Sequence, residues 1–328
     1  MFLMRFDMRL DSGGAGAREM YQAALDMAEW ADRQDSCLAV TLSEHHASPD
    51  GYLPAPLLMA AAVAARTRRV PIWVAALVAT LRNPVQTAEE LAVLDILSGG
   101  RVTAVLGVGY RQEEFDLYGV PMDDRGARLE AAVDVFRRAW AGGPVAAPGS
   151  PVAGSRVTPL PLTPGGPPLL LGGGTVAAVR RAARLGLGMM TERSGDLERR
   201  YRDECRAVGR EPGPFFGGGD HTLAAAFVDH DPDAAWDRLG RYLLRDARAY
   251  AAWNGAADKP LPGTVAAAAT LDDVRAAGRY RIFTPADAVA YIRHHGPLML
   301  HPLCGGAPPD LGWNTLRLVA DEVLPRLA

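Results

Sequence analysis

A chain of 328 residues with 48% hydrophobic and 22% charged residues has the composition of a globular domain, which excludes a disordered chain. Its 35 basic and 38 acidic residues leave a formal net charge of −3, with no basic run and few aromatics, so nucleic-acid binding is not expected. The length suits one (β/α)8 barrel, which takes about 250 residues or more.

Phe2–Met8 reads as a strand, Ala17–Arg33 as an amphipathic helix and Cys37–Leu42 as a second strand. Pro54–Arg66 is a helix with proline in its first turn, where the missing N–H costs least. Strand three is Val70–Val78, and helix three is Asn83–Leu97, with Pro84 at its start and Gly99-Gly100 past its end. Arg101–Leu106 is strand four and Asp124–Trp140 a strong helix. Residues 142–168 are rich in Gly and Pro and read as an irregular insertion. Strand five is Pro168–Leu171, with a helix over Thr175–Leu185; strand six is Gly188–Thr191, with a helix over Asp196–Val208. His221–Asp229 is strand seven, followed by a helix over Pro232–Trp253 and a second long connection over 254–283. Pro285–His295 is helical, Leu298–Leu303 is strand eight and Leu311–Arg326 the last helix. About eight strand–helix alternations in this length favour the barrel over a doubly wound sheet, and in a barrel the chemistry sits just after strand ends.

Some chemistries are set aside at once. Lys259 is the sole lysine and lies in a loop-like Ala257-Asp258-Lys259-Pro260 sequence, which speaks against Schiff-base catalysis. Cys37, Cys205 and Cys304 lack CxxC spacing, so neither a disulfide framework nor a zinc knuckle is expected. No metal site is expected either: the adjacent histidines diverge, no HxH follows strand one, and His301-Pro302-Leu303-Cys304 stands where an aspartate would close strand eight. No run approaches the roughly 18 apolar residues of a membrane helix, so a cytoplasmic protein is expected.

Four places after strands remain. Ser43-Glu44-His45-His46 follows strand two, where a histidine could act as general base near neutral pH or simply brace the loop. Val74-Ala75-Ala76-Leu77 ends strand three with small residues that leave room beside a ring, or merely pack. Gly107-Val108-Gly109-Tyr110 follows strand four, fitting either close approach of a planar cofactor or a tight turn. Gly172-Gly173-Gly174-Thr175 runs from a strand into a helix, where free N–H groups favour a phosphate but a plain connection is as common. Asp7-Met8-Arg9 and His301, Cys304, Gly305 and Gly306 fit a mouth-lining or a core role equally.

Together and in order, these places resemble the bacterial-luciferase-like flavin-dependent oxidoreductases. The likeness runs from Asp35–Leu42 and Ser43-Glu44-His45-His46 through Pro49-Asp50-Gly51-Tyr52, Ala75-Ala76, Asn83-Pro84-Val85 and Ala88-Glu89. It continues through Leu94-Asp95-Ile96-Leu97-Ser98-Gly99-Gly100-Arg101, a specific string, then Gly107–Glu114 and Phe115-Asp116-Leu117-Tyr118-Gly119. It resumes at Pro168–Gly174, Arg180–Gly186 and Val323-Leu324-Pro325. The resemblance implies a (β/α)8 barrel with an insertion between strand seven and its helix, as a single domain over 1–328, with 254–283 as a flap over the active site.

It also implies reduced FMN, or in one branch the deazaflavin coenzyme F420, at the mouth of the barrel. His45 matches the family's catalytic base, with His46 beside it as a second catalytic candidate and Glu44 as a cofactor-binding candidate. Ala75 and Ala76 match a non-prolyl cis peptide beneath the flavin ring, and Gly172, Gly173, Gly174 and Thr175 match the phosphate segment; Gly107 and Gly109, by their place after strand four, are further cofactor-binding candidates. The implied reaction is monooxygenation of a small organic substrate by reduced FMN and O2, with a separate flavin reductase. Hydride transfer with F420, or a non-catalytic flavin-binding partner subunit, are the alternatives. A homodimer through helices two and three would use the Ala60–Ala65 face. The luciferase α subunit has a cysteine and an arginine where this chain has Gly107 and Val108, and a Glu-Ser pair where it has Gly174 and Thr175. Light emission is therefore not expected, and Arg111, Arg180 or Arg181 are the positional candidates for holding the phosphate.

Overall fold

The computed structural model describes residues 1–147, 149–151, 154–192, 196–219, 221–255 and 270–327. In chain order, β1 (Phe2–Phe6), α1 (Ala17–Asp32) and β2 (Cys37–Leu42) precede α2 (Pro56–Arg66), β3 (Ile72–Val78) and α3 (Pro84–Ser98). Next come β4 (Val102–Gly107), α4 (Gln112–Tyr118), α5 (Arg125–Trp140) and the short strands β5 (Pro144–Val145) and β6 (Ser155–Arg156). They are followed by β7 (Leu169–Gly172), α6 (Val176–Leu185), β8 (Gly188–Thr191), α7 (Asp196–Ala207) and β9 (Phe215–Gly217). The chain continues with β10 (Ala225–Val228), α8 (Pro232–Gly255), α9 (Leu271–Ala277), β11 (Tyr280–Phe283), α10 (Pro285–His295), β12 (Leu298–Leu300) and α11 (Pro309–Leu318). The class is α/β, with the parallel strand–helix succession of a (β/α)8 barrel.

These elements fall into two compact units. One comprises Met1–Ser43, Ser48–Pro54 and Asp220–Ala328; its strands run in the order β11-β10-β12-β1-β2, all parallel. Trp236, Leu239 and Leu243 recur along one side of α8 and pack with Phe227, Tyr280 and Ile282 into an apolar core. The other comprises Glu44–Ala47 and Ala55–Gly219; β3, β4, β7, β8 and β9 are parallel in that order, and β5 and β6 pair antiparallel.

The most specific string of the sequence turns out to be structural. Asn83 caps α3 by accepting from Val85 N at 2.9 Å and Gln86 N at 3.3 Å. Asp95 accepts from the backbone and the hydroxyl of Thr163 at 2.7 and 2.9 Å, pinning the Gly/Pro-rich segment. Gly99 and Gly100 take φ of 66° and 80°, which glycine adopts at least cost. Arg101 then donates to Ser98 O, Thr67 Oγ1, Val70 O, Ala64 O and Thr67 O, at 2.6–3.2 Å, tying the end of α2 to the entry of β3.

Most expected elements stand within a residue or two of their expected bounds. The differences have local causes. Strand one stops at Phe6 because Met8 takes φ of 61°, outside the extended region. Residues 112–118 form α4, a helix too short for periodicity to reveal. His221–Asp229 contains only the four-residue β10, and β9 precedes it. Of the connection over 254–283, residues 256–269, with Lys259, lie outside the described residues. The rest is largely regular: Thr270 forms a capping box with Asp273 for α9, and β11 pairs in parallel with β10. Among the described residues, no helix is long and apolar enough to cross a membrane.

Candidate active site

The loop after β2 carries Glu44, His45 and His46, all buried, and each side chain is held by a named partner. Glu44 Oε2 accepts from Val78 N at 2.5 Å, while Oε1 accepts from Arg82 Nη2 at 2.6 Å and faces His46 Nε2 at 3.0 Å. Burial alone would raise this carboxyl, but the His46 hydrogen bond, the Arg82 charge and the Val78 N–H outweigh it and hold it below its ordinary value. Glu44 is thus ionised and can only accept, so His46 donates from Nε2; its Nδ1 then accepts from Tyr118 Oη at 3.0 Å.

The same logic fixes His45. Its Nδ1 lies 2.8 Å from Glu114 Oε1, which also accepts from His46 N at 2.9 Å and Arg111 Nη1 at 3.1 Å. Burial would raise the Glu114 carboxyl; the His45 hydrogen bond and charge, the His46 N–H and Arg111 together bring it below its ordinary value. An ionised Glu114 requires the His45 proton on Nδ1, which leaves Nε2 as an acceptor toward Tyr110 Oη at 3.2 Å. Arg111 is buried and also donates to His46 O at 2.7 Å.

Beside this network lies a patch almost free of side chains. The Ala75–Ala76 peptide is cis, and the register of β3 against β4 slips there, Ala75 pairing with Val105 and Leu77 with Leu106. A Cβ placed on Gly107 would meet the Ala76 Cβ at 3.2 Å; one on Gly172 would meet Val105 Cγ1 at 3.3 Å and the Ala76 Cβ at 3.7 Å. Ala76, Gly107 and Gly172 therefore converge from three neighbouring strands, all half-buried where flanking residues such as Leu77, Leu106 and Leu171 are buried.

The remaining expected residues have a structural reason for their identity. Gly109, at φ of 74°, is required by Phe115, whose ring carbon would stand 2.8 Å from an added Cβ. Gly173 N donates to Met190 O at 3.1 Å, and Thr175 Oγ1 caps α6 by accepting from Ala178 N at 3.2 Å; Gly174 lies half-buried between them. Of the three arginines considered for a phosphate, Arg111 is turned to Glu114, Arg180 pairs with Glu204 at 3.0 Å and Arg181 with Glu130 at 2.9 Å. Met8, Asp7, Arg9, His301 and Cys304 are fully buried, which gives them core rather than rim positions. Arg82 stands outside the sequence candidates, and Tyr110, Glu114 and Tyr118 appear there only within longer strings, with no role of their own. A polar and aromatic run just past strand four, Tyr110-Arg111-Gln112-Glu113-Glu114, was the available signal.

Comparison with known proteins identifies the family. The family model of the luciferase-like monooxygenases matches residues 2–291. An uncharacterized protein of Sinorhizobium fredii is 32% identical over 205 residues, 62% of this chain and 59% of that one. The alkanal monooxygenase alpha chain of Photorhabdus luminescens is 27% identical over 210 residues, 62% of this chain and 58% of that one. The matches thus span less than two thirds of these relatives' lengths. The crystal structure of monooxygenase RslO1 from Streptomyces bottropensis, 25% identical, superposes with a TM-score of 0.81 over 100% of both chains. The chain belongs to the luciferase-like monooxygenase family.

Proposed function

We propose that this protein is a flavin-dependent monooxygenase that uses reduced FMN and O2 on a small organic substrate, the reduced flavin coming from a separate reductase. The observation that carries the reading is the convergence of Ala76, Gly107 and Gly172. A planar ring needs a surface from which no side chain projects, and any residue larger than glycine at 107 or 172 would crowd it. When bound, reduced FMN supplies the electrons with which O2 is activated.

The chain's own residues supply the proton chemistry. Glu114 orients the His45 ring and fixes its Nδ1 proton, so that Nε2 accepts a proton and returns it, with Tyr110 Oη at 3.2 Å as the adjacent relay. Glu44 holds His46 and, through Val78 N, fixes the end of the strand that carries Ala76. Gly174, just before the first turn of α6, is the segment whose backbone would meet the phosphate, since Gly173 N is already engaged by Met190 O. The same reading makes the chain one functional domain acting as a cytoplasmic homodimer, which light scattering would check for assembly.

The test is anaerobic titration with reduced FMN and with reduced F420, followed by admission of air. Tight reduced-FMN binding with reoxidation slower than that of free flavin supports the proposal. Preference for F420 without reaction with O2 moves the protein to hydride transfer, and binding of neither cofactor overturns the enzyme reading.

A further inference from the structure

In the unit formed by Met1–Ser43, Ser48–Pro54 and Asp220–Ala328, the buried Arg9 and the half-buried Arg5 have opposite fates. Arg9 is fully buried and matched by carboxylates: Nε lies 3.2 Å from Asp7 and 3.0 Å from Asp246, and Nη1 bonds Asp50. The Tyr52 and Trp253 rings lie against its guanidinium at 4.7 and 4.8 Å. Its charge is spent on structure.

Arg5, on β1, has only neutral partners. Nε donates to Ser43 Oγ at 3.2 Å, and Nη2 donates to Tyr250 Oη at 2.5 Å and Tyr52 Oη at 3.4 Å. Among the described residues, no acceptor takes Nη1 and no carboxylate comes within ion-pairing distance. Asp7 and Asp246 act on this charge from farther away, but their oxygens are engaged by Arg9 and, for Asp246, by Tyr280 Oη at 2.7 Å. Half-buried on β1 and neutralised by no carboxylate at contact distance, the Arg5 guanidinium keeps its charge open to an anionic partner.

A second observation points the same way. Thr41 is the register partner of Arg5 on β2, and residues paired across parallel strands share a face. Thr41 is 7% exposed, and its hydroxyl has no hydrogen-bond partner. The same face carries Leu3, Ala39 and Met299, an apolar wall beside the two polar groups.

We propose that Arg5 and Thr41 form a binding site for a small organic carboxylate. The planar guanidinium fork complements a planar two-oxygen anion, the orphan hydroxyl supplies a further donor, and the apolar face takes the organic part. A single negative charge matches the one available cation; a phosphate dianion would be under-compensated beside Asp7 and Asp246.

The experiment is calorimetric titration of the full-length protein with benzoate, with inorganic phosphate as competitor. Saturable binding should weaken by about tenfold or more in Arg5→Gln, recover in part in Arg5→Lys, and weaken a few-fold in Thr41→Val. Thr41→Val nearly conserves volume, so it decides the matter if Arg5→Gln does not fold. Absence of saturable benzoate binding, equal affinity in wild type and Thr41→Val, or phosphate competing as well as benzoate would overturn the proposal. Reduced-FMN affinity measured on the same variants tests the flavin reading separately.

Discussion

Glu114 Oε1 stands 2.8 Å from His45 Nδ1 and 2.9 Å from the backbone nitrogen of His46, so one carboxylate oxygen fixes both the ring and the main chain of the histidine loop. Replacing it with an amide keeps the shape but allows Nδ1 to lose its proton partner. Glu114→Gln should lower reduced-FMN-dependent turnover by about ten- to a hundredfold, as removing an orienting hydrogen bond from a catalytic histidine typically does. The pH–rate profile should shift as well, because His45 loses the charge that stabilises its protonated form. An unchanged profile would remove Glu114 from the proton chemistry.

The depressed carboxyls give an acid limit to stability. Glu44 and Glu114 both titrate below their ordinary value of 4.5 in the folded chain. Their stabilising contribution is therefore fully present above that value and is lost as pH falls through the depressed pKa values. Thermal melting between pH 3 and pH 7 should show a steeper acid decline for wild type than for Glu44→Gln, whose residual stability no longer depends on that proton.

Gly172→Val tests the side-chain-free patch. Its Cβ would already sit 3.3 Å from Val105 Cγ1 and 3.4 Å from Leu106 O, and the added methyls must project over Ala76. Reduced-FMN affinity should fall by about tenfold or more, while far-UV circular dichroism stays native and the melting temperature drops by only a few degrees. Retained affinity would mean that the ring lies elsewhere.

Arg101→Met should be among the most destabilising changes on the surface of this fold without touching the histidine network. It removes five donated hydrogen bonds that close the end of α2 and the entry of β3. A loss of about 2–4 kcal/mol by urea denaturation is expected, with His45-dependent chemistry intact in the folded fraction.

The three cysteines should be silent in the folded protein. Cys37, Cys205 and Cys304 are free and buried; burial pushes the Cys37 thiol up to about 12 and also holds the Cys304 thiol well above its ordinary value. Thiol-specific labelling at pH 8 should proceed only on denaturation, and rapid labelling of the native chain would contradict their burial.

The alternation of apolar runs, the prolines at helix starts and the glycines at helix ends were enough to specify parallel α/β architecture, because they are local in the chain. So were the positions of Glu44, His45, Ala75 and the glycines 107 and 172, since a strand end can be read from the strand before it. What required the tertiary structure was everything set by distance across the fold. Glu114 lies 69 residues from His45 in sequence, on a helix of 7 residues that periodicity cannot detect, yet it decides which nitrogen of that histidine holds its proton. The specific Leu94–Arg101 string read as a mark of the family, but only its contacts with Thr67, Val70 and Thr163 disclosed that it braces strands rather than reacts. Gly109 looked like room for a ring and is room for Phe115. A side chain's chemical type is written in the sequence; its charge state and its partner are fixed by burial and by neighbours that arrive from elsewhere in the chain.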